Sequence, residues 1–464
     1  MFLFPLLYLF SFLQTIKLFL RKNASGILVF LLIGLPIYIN ALSVTYVLGF
    51  KKLVPLFQFF KEAAVIIGLG IVLAGIKKKP NLHKIDHLVL FFLGASFVYV
   101  LLPIGNYSIV DKLLALKSVS FFCMLYLLGR FIPFRSILLS KIVQYMSIVT
   151  IIAAIVTLIE FITDEHLHTK TGFSVFLEEF FGGEVSGNYG LIWTFETDTG
   201  FKRFGSIFSS PLEFGAAMVL SLAVFLGWFT RSTTQGYQLI LNKYTIAFLT
   251  ASLIGVFFAL SRASIFGFLL IVILYAFLTK NKMMIKGFYL LILAVSIYFI
   301  YFLSNNNIYD FIIGTINFSN PSSLGHIAGW LEGLNAFVSH PFGMGLGESG
   351  RVASTGNGNT GGENQFIITG VQLGVPLLIV YIMIQYGVIK MAWKNWDNHQ
   401  TKLRKIALIV FLFKMGSIIL MFTSNTESFI YISYFSWFLS GLLINGVSLN
   451  QANQHKIMGN TTYN

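Results

Sequence analysis

Residues 244–279 read YTIAFLTASLIGVFFALSRASIFGFLLIVILYAFLT, a stretch of 36 positions whose single charge is Arg262. As one helix rising about 1.5 Å per residue it would extend about 54 Å, far beyond a hydrocarbon core of about 30 Å. The stretch is therefore expected to cross a bilayer twice, hinged at Ser261-Arg262.

The rest of the chain has the same character. Of 464 residues, 56% are hydrophobic and 11% charged, against about 25% charged in a soluble domain. Apolar runs between polar breaks place spans near 2–20, 27–48, 60–76, 88–103, 113–129, 142–162, 207–229, 244–260, 263–279, 284–303, 365–388, 406–422 and 428–448. The expected fold class is all-α, a polytopic integral membrane protein with 12–13 transmembrane helices and two extracytoplasmic loops. The count is twelve if the first run, which carries Pro5 and Lys17, lies along the interface. That run lacks a basic leader region and an A-x-A-like cleavage site and reads as a membrane segment, not a signal peptide. The expected organisation is N-terminal helices 1–162, a first loop 163–206, central helices 207–303, a large loop 304–364, C-terminal helices 365–448 and a cytoplasmic tail 449–464.

The breaks at 21–26, 77–87, 130–141, 230–243, 280–286 and 389–405, with the tail, hold 20 of the 32 Lys and Arg, all on one side of an alternating topology. The positive-inside rule makes that side the cytoplasm. The formal charge of +14 thus reflects orientation, and no nucleic acid is expected. Cys123, the single cysteine, lies in an apolar run, which excludes a disulfide framework and a cysteine metal site. No metal and no cofactor are expected. No internal repeat or pair of interrupted helices is visible, which argues against an inverted-repeat transporter. The segments 163–205 and 304–364 and the Ser261-Arg262 hinge share the opposite, extracytoplasmic face.

The first of those segments runs into TGFKRFGSIFSSPLEFGAAM (199–218), with Lys202 and Arg203 just before a span whose start is marked by Pro211 and Glu213. Cations here oppose the positive-inside bias, so Arg203 is a candidate anion ligand; the plain alternative is snorkelling, or pairing with Glu196 or Asp198. Arg262 carries a planar fork suited to phosphate; its alternative is an interfacial arginine marking a helix end. The second segment contains SSLGHIAGWLEGLNAFVSHPFGMGLGESG (322–350), where Ile327, Trp330, Leu331, Leu334 and Phe337 recur at helical spacing. They predict a short amphipathic helix on the outer face, stopped by Pro341.

Eight glycines between 343 and 362 then predict a flexible stretch that lets backbone approach a ligand or lets the loop open. Within it Gly345 to Gly350 matches GxGxxG, but no strand precedes it, so it is no nucleotide site. Glu363 stands where the chain returns to the membrane, favoured there by the helix dipole and equally a candidate general base. His326 and His340 are the other candidate bases. Lys414 sits well inside a span, which is costly enough to suggest a role; Glu427 or a lipid phosphate is its candidate partner, and snorkelling the alternative.

Four pieces, RFGSIFSSP (203–211), LSRASIFGF (260–268), HIAGWLEGLNAFVSHPFGMGLGESG (326–350) and ENQFIITGVQLGVPLL (363–378), resemble the O-antigen ligase and Wzy-type polymerase family of bacterial surface-glycan enzymes. They cover roughly residues 200–390. The resemblance implies a multi-pass protein of the bacterial cytoplasmic (inner) membrane that transfers glycan from undecaprenyl diphosphate to a sugar hydroxyl at the periplasmic face, without metal. It implies that Arg203 and Arg262, with Lys202 beside them, hold the diphosphate, and that Glu363, His326 or His340 acts as base, with Lys414 and Trp330 as further site residues. Implied partners are the carrier-linked glycan, an acceptor glycan or lipid A-core, membrane lipid and a polysaccharide chain-length regulator. Two departures are notable: His326 stands where the family commonly has arginine, four residues before Trp330, and Glu363 where ligases commonly have histidine. The second argues against a ligase-type catalytic histidine and favours a polymerase, or a branch in which Glu363 or His326 is the base; a lipid A-core ligase and a protein O-oligosaccharyltransferase use similar residues and differ in acceptor. A glycan-lipid flippase is the rival from another class.

Overall fold

Backbone amides in lipid have no water to bond, so a spanning segment must satisfy its own polar groups, and helices result. The computed structural model describes residues 2–77, 80–197, 200–234, 236–280, 321–350 and 360–461, with isolated positions 285, 286, 289 and 293. The expected span 284–303, apart from those positions, lies outside the described residues, as do Asp198, 304–320 and the glycine-rich positions 351–359.

Among the described residues, eleven helices are long and apolar enough to cross a membrane. They are α1 (Leu3–Leu20), α2 (Ala24–Val47), α3 (Lys51–Ala74), α4 (Lys84–Leu101), α5 (Ile109–Phe131), α6 (Leu139–Thr163), α7 (Pro211–Phe229), α9 (Arg262–Thr279), α11 (Gln365–Asn395), α12 (Thr401–Thr423) and the first part of α13 (Ile430–Thr461). The shorter α8 (Lys243–Phe258) leads into α9, and α10 (Pro321–Ser339) lies in the large loop. Twelve of the thirteen expected runs are thus helical, and the protein is an all-α polytopic membrane protein. Several helices start earlier than their apolar runs, α3 at Lys51 rather than 60, because Pro55 sits in the first turn, where a helix tolerates it, and Gln58 breaks the hydropathy of KKLVPLFQFF without breaking the helix.

Helix association in lipid gains little from hydrophobicity and depends on close backbone approach at small residues. The bundle core shows this. A Cβ on Gly129 of α5 would stand 2.0 Å from the Phe438 carbonyl oxygen of α13, and one on Gly441 of α13 2.0 Å from the Tyr126 carbonyl oxygen of α5. Gly267 of α9 faces the Gly416 carbonyl of α12 in the same way. α13, α2 and α7 are almost wholly buried, whereas α1 is mostly exposed.

The two ends of the bundle differ. At one, Arg130 Nε bonds Asp86 at 2.9 Å, Tyr126 donates to the same carboxylate at 2.6 Å, and a hairpin forms from β1 (Thr230–Thr233) and β2 (Gly236–Leu239). At the other lie the first loop with its helices Leu167–Lys170 and Phe173–Phe181, the α4–α5 connection, residues 340–350 and 360–364, and the α12–α13 connection. The α8–α9 corner faces the same end: Leu260 takes φ 44° and Ser261 Oγ caps α9 by accepting from the Ser264 amide at 3.3 Å.

In the large loop the expected helix forms, but it packs by a different face. Gly329, Gly333 and Ala336, with Trp330 and Phe337, sit against the start of α11, where a Cβ on Gly333 would come within 2.2 Å of Ile367. Leu331, Leu334 and Val338 stay exposed. A hydrophobic stripe marks what avoids water, and near a membrane that includes surfaces turned to lipid. Of the glycine-rich stretch, the described part just after Pro341 is tied to α11: Met344 N bonds the Val371 carbonyl at 2.7 Å and Val375 N the Pro341 carbonyl at 2.9 Å. This strap inserts where α11 breaks at Gly374, φ 78°, and a Cβ on Gly343 would come within 2.6 Å of the Gly374 nitrogen.

Candidate active site

The first loop is stapled from beneath. Glu160, near the end of α6, accepts from the Leu167 amide at 2.8 Å and the Ser206 amide at 3.2 Å, so one carboxylate holds both limbs. His168 Nε2 donates to the Phe208 carbonyl at 2.7 Å, and His166 lies among Tyr189, Phe195 and Phe204. Burial pushes the His168 imidazole down to about 3 and that of His166 down to about 4, the latter helped by the Lys202 ammonium. Both rings are neutral at working pH. Arg203 is held by its amide on the Phe195 carbonyl, 2.8 Å, and the next residue reaches across to the α8–α9 corner, Phe204 N to the Phe258 carbonyl at 3.2 Å. That bond brings the segment of Arg203 to within four residues of Arg262, the first residue of α9.

Lys202 goes elsewhere. Its ammonium lies 2.6 Å from Asp164 Oδ1, donates to the Asp164 carbonyl and covers the Tyr189 ring at 4.7 Å. Glu196, a possible partner for Arg203, is taken up by the backbone and side-chain amides of Asn188 at 3.0 and 2.8 Å.

Glu363 precedes the N-cap of α11. Asn364 Oδ1 accepts from the Phe366 and Ile367 amides, at 2.9 and 3.3 Å, so the cap needs nothing from Glu363. The freed carboxylate lines a cavity of about 350 Å³ together with Ser209, Ser210 and Glu213 at the start of α7 and Ser424, Asn425 and Ser428 of the α12–α13 connection. The side chain keeps water access, but protein packed around it raises its pKa above the ordinary carboxylate value, and the nearby Arg203 guanidinium pulls the other way. A carboxylate shifted upward beside a cation in a cleft is suited to proton transfer.

Of the residues singled out in the sequence, Arg203 and Glu363 come together electrostatically and Arg262 joins them at the same end. His340 is exposed beyond the end of α10, its Nδ1 3.1 Å from Ser339 Oγ, and His326 is half-buried within α10; neither lines the cavity. Trp330 packs edge-on to Phe422 with ring centroids 6.3 Å apart. Lys414 does not snorkel: it is 4% exposed, its ammonium 3.6 Å from the Trp437 ring centroid. The indole of Trp437 donates to Glu427 at 2.9 Å, as does Tyr381 at 2.7 Å.

Two contributors were not legible. Glu213, read only as a helix-start marker, accepts from the Tyr431 amide at 3.0 Å and from Ser209, joining the start of α7 to that of α13. The TSNTES connection between α12 and α13 lines the cavity; its only signal was a polar break between two spans.

A family model described as O-antigen ligase matches residues 246–382, from α8 through the α8–α9 corner and α10 into α11. Arg262, His326, Trp330, His340 and Glu363 fall inside this match. An O-antigen polymerase of Salmonella muenchen is 26% identical over 255 residues, 54% of this chain, and the match spans only 59% of that protein. Over residues 246–382 the chain is thus similar to the O-antigen ligase family, and over about half its length to an O-antigen polymerase.

Proposed function

We propose that the protein is a membrane glycosyltransferase that polymerises carrier-linked oligosaccharide repeats at the extracytoplasmic face of the cytoplasmic membrane. The observation that carries this reading is the cavity in which Glu363, released from capping duty and set near Arg203, faces open space at the loop-bearing end. The donor is a glycan on undecaprenyl diphosphate. An acceptor sugar hydroxyl attacks the anomeric carbon, the carbon–oxygen bond to the diphosphate breaks with its electron pair going to the leaving oxygen, and the hydroxyl proton passes to Glu363. Charge grows on the diphosphate in the transition state, where fixed guanidinium groups are worth most; Arg203 and Arg262 fill that role. Glu363 is the base rather than His340 or His326 because it alone of the three lines the cavity.

The lipid-linked donor accounts for a site at the end of a membrane bundle rather than in a soluble domain. The description of the matching family as O-antigen ligase favours transfer to lipid A-core as the second reading; it differs only in acceptor. The test is extension of undecaprenyl diphosphate-linked repeat units by purified protein in nanodiscs. Wild type is expected to give a ladder of lengthened lipid-linked glycan, lost in Arg262→Ala and Glu363→Gln. Folded wild type that extends no matched unit, or a Glu363→Gln variant as active as wild type, overturns the reading.

A further inference from the structure

The N-terminal helices lie outside the family match, yet they build a second cavity of about 330 Å³, lined by α3, α5 and the start of α13. Its wall carries Lys61 and Glu62 of α3, Asp111 and Lys117 of α5, and Glu427 of the α12–α13 connection, with Tyr434 and two phenylalanines of α5 beside them. Lys61 and Lys117 both lie on Glu62 Oε1, at 3.1 and 3.2 Å, and Lys61 also donates to Tyr38 at 3.0 Å. Lys61 and Glu62 are each 6% exposed within a spanning helix. Charges at that depth are costly, and a buried ion pair rarely outperforms apolar side chains of the same volume. Stability alone does not explain them.

The chemistry of the wall selects its occupant. The wall carries one more carboxylate than ammonium, which disfavours a diphosphate, and charged groups set among its apolar side chains disfavour a polyprenyl chain lying along it. Paired acceptors and donors next to aromatic rings suit a neutral sugar, whose hydroxyls bond both kinds of group while its C–H face rests on a ring. The volume lies within the range of about 300–1,000 Å³ usual for small-ligand sites. The cavity also adjoins the first: Tyr38, Phe181, Ser428 and Ile430 line both. Resting on the glycosyl-transfer reading, we propose that this cavity is a saccharide subsite that seats the acceptor glycan and presents its hydroxyl toward Glu363.

The probe is the free repeat oligosaccharide, without carrier, released from the surface glycan of the source organism and titrated onto full-length protein in nanodiscs. Binding to wild type is expected, weakened at least tenfold in Asp111→Asn and Lys117→Met at unchanged melting temperature and retained in Glu363→Gln. In transfer assays the two cavity variants are expected to raise the acceptor KM about tenfold and leave kcat and the donor KM unchanged, a split that a structural role would not give. Wild-type binding in both variants, or a wild type that transfers glycan but binds no oligosaccharide, overturns the subsite. A wild type that binds the oligosaccharide through Asp111 and Lys117 but transfers from no carrier-linked donor upholds a saccharide site and overturns the transfer reading instead.

Discussion

Acidification is expected to open the first loop through its two buried histidines. The folded rings titrate near 4 at His166 and near 3 at His168, against about 6.5 when solvated. Both folded values are depressed, so between those limits the opened loop binds protons that the closed loop cannot, and stability is lost as pH falls below about 6.5. At pH 5 each ring is almost fully protonated in the open form and almost wholly neutral in the closed form. From pH 7 to pH 5 this linkage removes about 2 kcal/mol per histidine, and about 3–4 kcal/mol for the pair, from the closure of the loop. Hydrogen exchange reads this directly, at the Leu167, Arg203 and Ser206 amides, which are bonded in the closed loop. After correction for intrinsic rates, their opening free energies are expected to fall by that amount between pH 7 and 5, while amides in the α5–α13 core stay unchanged. In His168→Gln the fall is expected to be about half as large. Equal protection at the two pH values would refute the account of how this loop is held.

Three further outcomes are expected. Because burial raises the Glu363 pKa and Arg203 lowers it, and the base acts unprotonated, removing the cation in Arg203→Gln is expected to move the acid limb of the kcat/KM profile to higher pH; an unmoved limb would separate the two groups. Gly333→Leu is expected to lift α10 off α11, since even a Cβ there would meet Ile367 at 2.2 Å, lowering thermal stability by about 1–3 kcal/mol by overpacking; a wild-type melting temperature would contradict the packing. Lys414→Met keeps the volume against Trp437 and loses a cation–π contact worth about 2 kcal/mol when desolvated, and is expected to transfer glycan within about threefold of wild type. A complete loss of transfer in folded Lys414→Met protein would assign Lys414 to the reaction.

What the sequence carries follows from what a bilayer demands. A run of about 20 apolar residues has few alternatives to a spanning helix, and a lone Arg262 in 36 residues marks where two helices must meet. Local signals served less well where the partner is distant in sequence. Glu363 read equally as a helix-start carboxylate and as a base, and the cap itself is Asn364; the choice between two adjacent polar residues depends on backbone angles that composition does not encode. The apolar stripe of α10 pointed to Leu331 and Leu334, while the packed face is the glycine face, because close approach to α11 selects for absent side chains. Lys202 and Arg203 are neighbours with the same charge, and only the fold shows that Asp164 takes the first. The charged cluster in the cavity wall of α3 and α5 could not be read from residues 1–140, since Glu62 and Lys117 are 55 positions apart and meet only through helix packing.

The central claim is that Glu363 and the nearby Arg203 act on one reaction, and a double-mutant cycle in the transfer assay tests it most directly. Rates are compared for wild type, Glu363→Gln, Arg203→Ala and the double variant, with carrier-linked donor saturating. Loss of a general base costs about 10²–10⁴-fold, and groups that serve one step are strongly non-additive. The account predicts a double variant no slower than about threefold below the worse single. Rate losses that multiply across the two changes would contradict it.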